Sequence, residues 1–159
     1  MIEKKQDRAI NDFIWNVVEI HSQLEEIHKS WAELVGITEP QWLILMAIET
    51  LDEGPGVAGI EVANKLRIHP AFVTNQTKSL EKNGFLSRVH RADDARYVLM
   101  SLTAKARTEI AKLSKRRFAL NSTMFNEFDE KSLAELNVAL ATIAKNARLA
   151  SRLLAIDIS

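Results

Sequence analysis

Six residues at positions 91–96, Arg-Ala-Asp-Asp-Ala-Arg, set two guanidinium groups on either side of two adjacent carboxylates. Paired carboxylates can do acid–base work when a pocket perturbs them, but nothing around Asp93 and Asp94 suggests a pocket, and the stretch ADDA is a polar turn. Arginines at a turn suit contact with DNA, above all in narrow A/T-rich minor grooves where negative potential concentrates. Asp94, two residues before Arg96, can accept from that guanidinium and hold it extended. Upstream stands a second polar set, Ala71, Thr74, Asn75 and Lys78, on one face of a helical period whose other face holds Val73, Thr77 and Leu80. Asn can pair bidentately with adenine, Thr can meet a hydroxyl partner or a thymine methyl, and Lys suits guanine or phosphate.

Other chemistries find little to work with. His21 and His28 are seven apart on one predicted helix, about 10.5 Å by helix rise, too far to share a metal directly. His69 and His90 are expected to meet phosphate or solvent. The absence of cysteine excludes disulfides, Cys-ligated zinc and a thiol nucleophile, and fits a reducing compartment. There is no Gly-rich phosphate loop, nucleophile elbow or HExxH spacing. The expectation is therefore a protein that is not an enzyme and holds neither metal nor cofactor.

The chain has 159 residues, 47% hydrophobic and 6% aromatic, enough for one well-buried domain or two small layers sharing a core. No run of 18 apolar residues is present, and MIEKKQDRAIND is too charged for the apolar centre of a secretory signal, so a cytoplasmic protein is expected. The formal net charge is zero, yet residues 65–117 carry 13 Lys/Arg against 4 Asp/Glu. A basic working surface in the middle and an acidic body at the two ends follow from that division.

Both ends read as long helices. Ile10, Phe13, Val17, Ile20, Leu24, Ile27, Trp31 and Leu34 alternate spacings of three and four, an a/d stripe that predicts one helix over about 7–34. Leu133, Leu136, Leu140, Ile143 and Ala147 repeat the rhythm near the C-terminus, with Asp129 or Ser132 as N-cap. A third helix is expected between Thr103, its N-cap, and Phe128, because that run lacks Gly and Pro. Two stripes at opposite ends of a short chain, with too little sequence left to cover both, predict a dimer whose terminal helices interdigitate.

The middle consists of short elements. Pro40 opens a helix, QWLILMAIETL, and the loop DEGPGVAG is expected to hold no regular structure. A helix over 60–66, the turn Arg67-Ile68-His69, and a helix from Pro70 to about Lys82 ending at Asn83-Gly84 make a helix-turn-helix, whose second helix would enter the major groove. Arg67 and His69 join the DNA-facing candidates. FLSRVHR and YVLMSL then alternate as two strands around ADDA, a β-hairpin flanked by Arg91 and Arg96. The fold class expected is mainly α with a small β part: a winged helix-turn-helix over 36–103, with 1–35 and 104–159 as the helical dimerisation region.

GITEPQWLIL (36–45), AFVTNQTKSLEKNGFLSRV (71–89) and DARYVLMSLT (94–103) together make the chain resemble the MarR (multiple antibiotic resistance regulator) family of bacterial winged-helix transcription factors. Ala95 and Ala106 replace an arginine and a glycine common in that family, so wing contact would rest mainly on Arg96. Gln76 and Thr77 replace two aliphatics, making the back of the reading helix more polar. The resemblance implies a homodimer on a pseudo-palindromic double-stranded DNA operator, usually as a repressor of aromatic-compound catabolism or efflux genes. A small aromatic acid, phenol or aryl-thioester would release it from a crevice that Trp15, His21, Trp42, Met46 and Phe118 would line. The alternatives are a helical dimeric adaptor whose winged domain binds protein, a constitutive DNA-binding protein without effector, and the same five residues serving only as core.

Overall fold

The computed structural model describes residues 2–157 except 92, 93, 95 and 96, with 2–5 and 156–157 by their backbone alone. The chain divides into two compact units, Met1–Ser114 and Lys115–Ser159.

The first unit opens with α1 (Ile2–Val35), longer at its start than the 7–34 predicted. Among its described side chains only those near its end are buried, Trp31 at 9% and Ala32 at 1% exposure, where α1 packs on α2 (Glu39–Leu51). Gly36 ends α1 in the left-handed region (φ 79), its N–H on the Glu33 carbonyl and that of Ile37 on the Ala32 carbonyl. That pair of reversed bonds lets α2 leave at 91°. The Thr38 N–H donates to Gln41 Oε1 at 3.2 Å and Pro40 sits in the first turn, so α2 begins one residue before the proline. Trp42, Ile44, Leu45 and Ile48 are all at or below 1% exposure, which makes α2 the central helix of the unit.

The expected helix-turn-helix and hairpin are both present: α3 (Gly59–Leu66), α4 (Pro70–Lys82), β2 (Leu86–His90) and β3 (Val98–Leu102). Leu86 pairs with Leu102 and His90 with Val98 across the antiparallel hairpin. The stretch 52–59 departs from its expected irregularity. Val57–Ala58 form a short strand, β1, that pairs with β3, giving the sheet order β1-β3-β2. Asp52 Oδ1 accepts from the N–H groups of Gly54 and Gly56, each at 2.9 Å, and curls the turn back toward β3. The same bonds, that from Gly54 above all, hold the Asp52 carboxyl below its ordinary pKa. Gly56 has φ 91, and a Cβ there would stand 3.1–3.3 Å from atoms of Ser101, Leu99 and Met100, so only glycine lets the chain approach β3 so closely.

Thr103 caps the next helix as predicted, its Oγ1 accepting from the Ala106 N–H at 3.2 Å while donating to the Gly84 carbonyl at 2.7 Å. The single helix expected over 103–128 is instead two, α5 (Ala104–Lys112) and α6 (Ser114–Met124). The break is a tightened turn at Leu113, whose N–H reaches the Ile110 carbonyl at 3.1 Å while its side chain is buried. Neither Gly nor Pro announces it.

The second unit carries most of α6 and the long α7 (Glu130–Asp157). Of the two candidate caps Asp129 takes the role, its Oδ1 accepting from the Ser132 N–H at 2.8 Å. Phe118, Phe125, Phe128, Leu136, Leu140, Ile143, Leu149 and Leu153 are all exposed. No single described helix in either unit is long and apolar enough to cross a membrane.

The inner edge of α4 yields a test of core packing. Val73 and Leu80 are 0% and Thr77 1% exposed, and the Thr77 hydroxyl is satisfied by the Thr74 carbonyl at 3.1 Å. Leu80→Ala should cost about 3 kcal/mol. Thr77→Val, which keeps the shape and removes a hydroxyl bonded only within its own helix, should change stability by less than about 1 kcal/mol. Urea unfolding of the two variants beside the parent checks both values.

Candidate nucleic-acid interface

With Val73, Thr77 and Leu80 packed inward, helical geometry leaves one outward face on α4, and it consists of Ala71, Asn75 and Lys78 with Thr74 at its border; all four are exposed. The sequence-derived reading face is therefore assembled as a surface. The helix is pinned on both flanks. On one, Gln41 Nε2 of α2 donates to Ser79 Oγ at 3.3 Å; on the other, Arg88 Nη1 of β2 donates to Glu81 Oε2 at 3.3 Å. Neither tie was legible beforehand, because each joins residues far apart in sequence or across two kinds of element.

Two candidates do more local work than expected. His69 is the N-cap of α4, its Nδ1 accepting from the Ala71 N–H at 3.2 Å, which leaves Nε2–H as the nitrogen available to a partner. Thr74 donates its hydroxyl to the Pro70 carbonyl at 3.1 Å, so toward DNA it offers its methyl group and its oxygen lone pairs. Arg67 is exposed in the turn before α4, in the left-handed region at φ 58 and ψ 40, where a non-glycine residue is held at some local cost. Phe72, absent from the sequence-derived set, is 40% exposed beside the face.

In the wing, the Arg91 N–H donates to the Tyr97 carbonyl at 2.9 Å and the Tyr97 N–H to the Asp94 carbonyl at 3.0 Å, closing the turn. The Arg91 guanidinium lies 5.7 Å from the centre of the Tyr97 ring, a cation–π contact that extends the charge along the wing. Arg96 and Asp93 lie outside the described residues, and with them the expected Asp94–Arg96 contact. Between α4 and the wing runs a cleft of ≈ 360 Å³, walled by Ile60, Val73, Thr74, Arg88, Tyr97 and Val98. Arg88 Nε is buried at its side without a hydrogen-bond partner among the described residues.

Of the five effector candidates, Trp15, His21, Trp42 and Met46 lie in the first unit and Phe118 in the second. Trp42 is a core residue at 1% exposure, with Met46 half-buried one turn later on α2. Trp15 is 70% exposed on α1; His21, on the same helix, is also exposed and pairs with Glu25 at 3.6 Å. Phe118 belongs to the second unit and is exposed there. His28 is half-buried, which lowers its pKa from the ordinary histidine value while Glu39 opposes the shift. No group of three or more potential metal ligands occurs among the described residues.

Comparison with known proteins places this geometry. The sequence profile of the MarR family matches residues 37–98, from the start of α2 into β3. An uncharacterised HTH-type transcriptional regulator of Bacillus subtilis, YdgJ, is 28% identical over 120 residues, covering 72% of this chain and 71% of that protein. Among solved structures, the S. aureus MepR–DNA complex superposes with a TM-score of 0.71 at 16% identity, over 85% of this chain and 96% of that one. CouR of Rhodococcus jostii RHA1 bound to p-coumaroyl-CoA gives 0.71 at 17% identity, over 84% and 92%. At such identities the structural likeness speaks for the fold, a winged helix-turn-helix, and the profile match makes residues 37–98 of this chain similar to the MarR family.

Proposed function

We propose that the chain works in the cytoplasm as a homodimeric repressor that binds a pseudo-palindromic operator through α4 and the wing and leaves it when a small aromatic acid, phenol or aryl-thioester binds. The observation that carries the DNA part is the outward set Ala71, Thr74, Asn75 and Lys78, held in place by a buried inner edge and two flanking ties. Asn75 and Lys78 are one turn apart on it. The amide discriminates bases, whereas the ammonium meets a guanine or a phosphate. Asn75→Ala should relax base preference at one position of each half-site. Lys78→Ala, if the lysine meets phosphate, should weaken all sequences alike and reduce the salt slope by about one unit. Arg96→Ala at the wing should weaken binding by about 1 to 3 kcal/mol. Affinities measured at several salt concentrations on preferred and random DNA separate these effects, and equal losses from Asn75→Ala and Lys78→Ala on both DNAs would remove α4 from the reading role.

The uncovered apolar side chains of α1 and α7 support the dimer. Ile10, Val17 and Ile20 on one helix and Leu136, Leu140 and Ile143 on the other are between 37% and 55% exposed. Stripes of that kind on two long helices are the material of an isologous interface. A dimer so formed could set two α4 helices on half-sites about 34 Å apart. Leu136→Asp with Leu140→Asp puts charges into that seam. The doubly substituted chain should be monomeric or unfolded in analytical ultracentrifugation, and a surviving micromolar dimer would place the interface elsewhere.

Release requires an effector that binds better to a conformation in which the two α4 helices miss their half-sites. That CouR was solved with p-coumaroyl-CoA supports an aryl-thioester among the candidates. Two places in this chain merit a ligand screen. One is the region of His21, Trp42 and Met46, with Trp15 and Phe118 as further candidates. The other is the cleft beside α4, where the buried Arg88 Nε offers a donor to a carboxylate against an apolar wall. A panel of aromatic acids, phenols and their thioesters should lower operator affinity and quench tryptophan fluorescence. Arg88→Met should abolish the response only if the cleft is the site. A panel that changes neither affinity, fluorescence nor thermal stability would make the protein a constitutive DNA binder.

A further inference from the structure

We propose that Phe72 is a specificity-determining residue that reads a thymine methyl group in each half-site; the inference rests on α4 being the DNA-reading helix. Phe72 lies in the first turn of α4, its N–H on the His69 carbonyl at 3.0 Å, and the N-terminal residues of such a helix are the ones that reach base edges. The residue is 40% exposed although Val73, two further inner-edge residues and the neighbouring α2 side chains are almost wholly buried. The side chain stands at the edge of the outward face. Thr74, two residues on and therefore more than half a turn around, borders the cleft on the wing side, which puts Phe72 on the opposite flank, in line with Ser79 and its tie to α2.

Asn75 follows Phe72 by three residues, which places the two on adjoining parts of one stripe, about 4.5 Å apart along the axis. A separation of that order lets the two side chains meet the same or a neighbouring base pair. The amide of Asn75 suits adenine, and the apolar feature that base edges present in the major groove is the C5-methyl of thymine. A phenyl ring cannot donate to phosphate and accepts from a base amine only weakly. An exposed phenylalanine beside a reading asparagine thus matches an A/T-containing step, with Asn75 on an adenine edge and Phe72 on a thymine methyl of the same or the next pair.

The full-length protein tests this directly. Selection from random duplex DNA yields the preferred site, in which each thymine is then replaced singly by deoxyuridine, removing only the methyl group. At one thymine per half-site the parent should lose about fourfold in affinity, the factor that corresponds to about 0.8 kcal/mol for one buried methyl-sized group. Phe72→Ala should bind the unmodified site more weakly by a similar factor and be indifferent to deoxyuridine at that position, while Phe72→Leu should keep part of the sensitivity. Unchanged thermal unfolding of both variants confirms an intact fold. A parent that ignores every deoxyuridine, or a Phe72→Ala protein that loses as much as the parent at the same thymine, overturns the assignment of Phe72. If Asn75→Ala and Lys78→Ala also leave DNA binding untouched, the DNA-reading role of α4 itself has failed; weak binding by those two with no methyl effect means that the Phe72 inference alone has failed.

Discussion

The outward face of α4, through which DNA binding is proposed, depends on the burial of one helix edge. Val73, Thr77 and Leu80 are removed from water almost completely, and each fully buried aliphatic of that size contributes about 1.5 to 3 kcal/mol. Turning α4 about its axis by one residue would expose those side chains and bury Asn75 or Lys78 without partners, at a cost of several kcal/mol. Its rotation is therefore set by the core, and the outward face is whatever remains. The Gln41–Ser79 and Arg88–Glu81 contacts refine that setting from both flanks. Thr77, a polar residue on the buried edge, is tolerated because its hydroxyl is spent on the Thr74 carbonyl.

The sheet does for the wing what the core does for the helix. With β3 in the middle of the order β1-β3-β2, the hairpin is paired along both edges of its second strand. The outer pairing exists because Asp52 gathers the N–H groups of Gly54 and Gly56, and because Gly56 has no Cβ to collide with β3. A long wing on a two-stranded ribbon alone would be marginal in water. Anchored at its root, it holds Arg91 and Tyr97 at a defined distance from α4, with a cleft between.

A chain with no net charge presents a basic middle because its acidic residues are concentrated in the flanking segments. Over distances comparable with the screening length, about 8 to 10 Å at physiological salt, DNA responds to the local charge and hardly at all to the distant balance. The flanking helices contribute the other half of the design. Their apolar stripes, left uncovered in the single chain, are suited to a partner that would also fix the spacing of two reading helices.

Much of this was legible in order along the chain. Periodicity by threes and fours marks α1, α4 and α7; Pro70 and Asn83-Gly84 bracket α4 within a residue, and alternation marks β2 and β3. Those signals are local, since helix and strand faces repeat every 3.6 and 2 residues whatever the rest of the molecule does. The outward placement of Asn75 and Lys78 followed from the same periodicity once an inner edge was identified. What tertiary structure alone decided is non-local. A two-residue strand such as β1 has no period, and exists only because β3 offers it a partner. The end of α5 at Leu113 has no Gly or Pro to mark it, and comes with the burial of that side chain. The near-complete burial of Trp42 was likewise not legible, because what surrounds a side chain is set by residues distant in sequence and not by its own neighbours. Phe72 is the converse, an apolar residue left 40% exposed at the border of the outward face of α4.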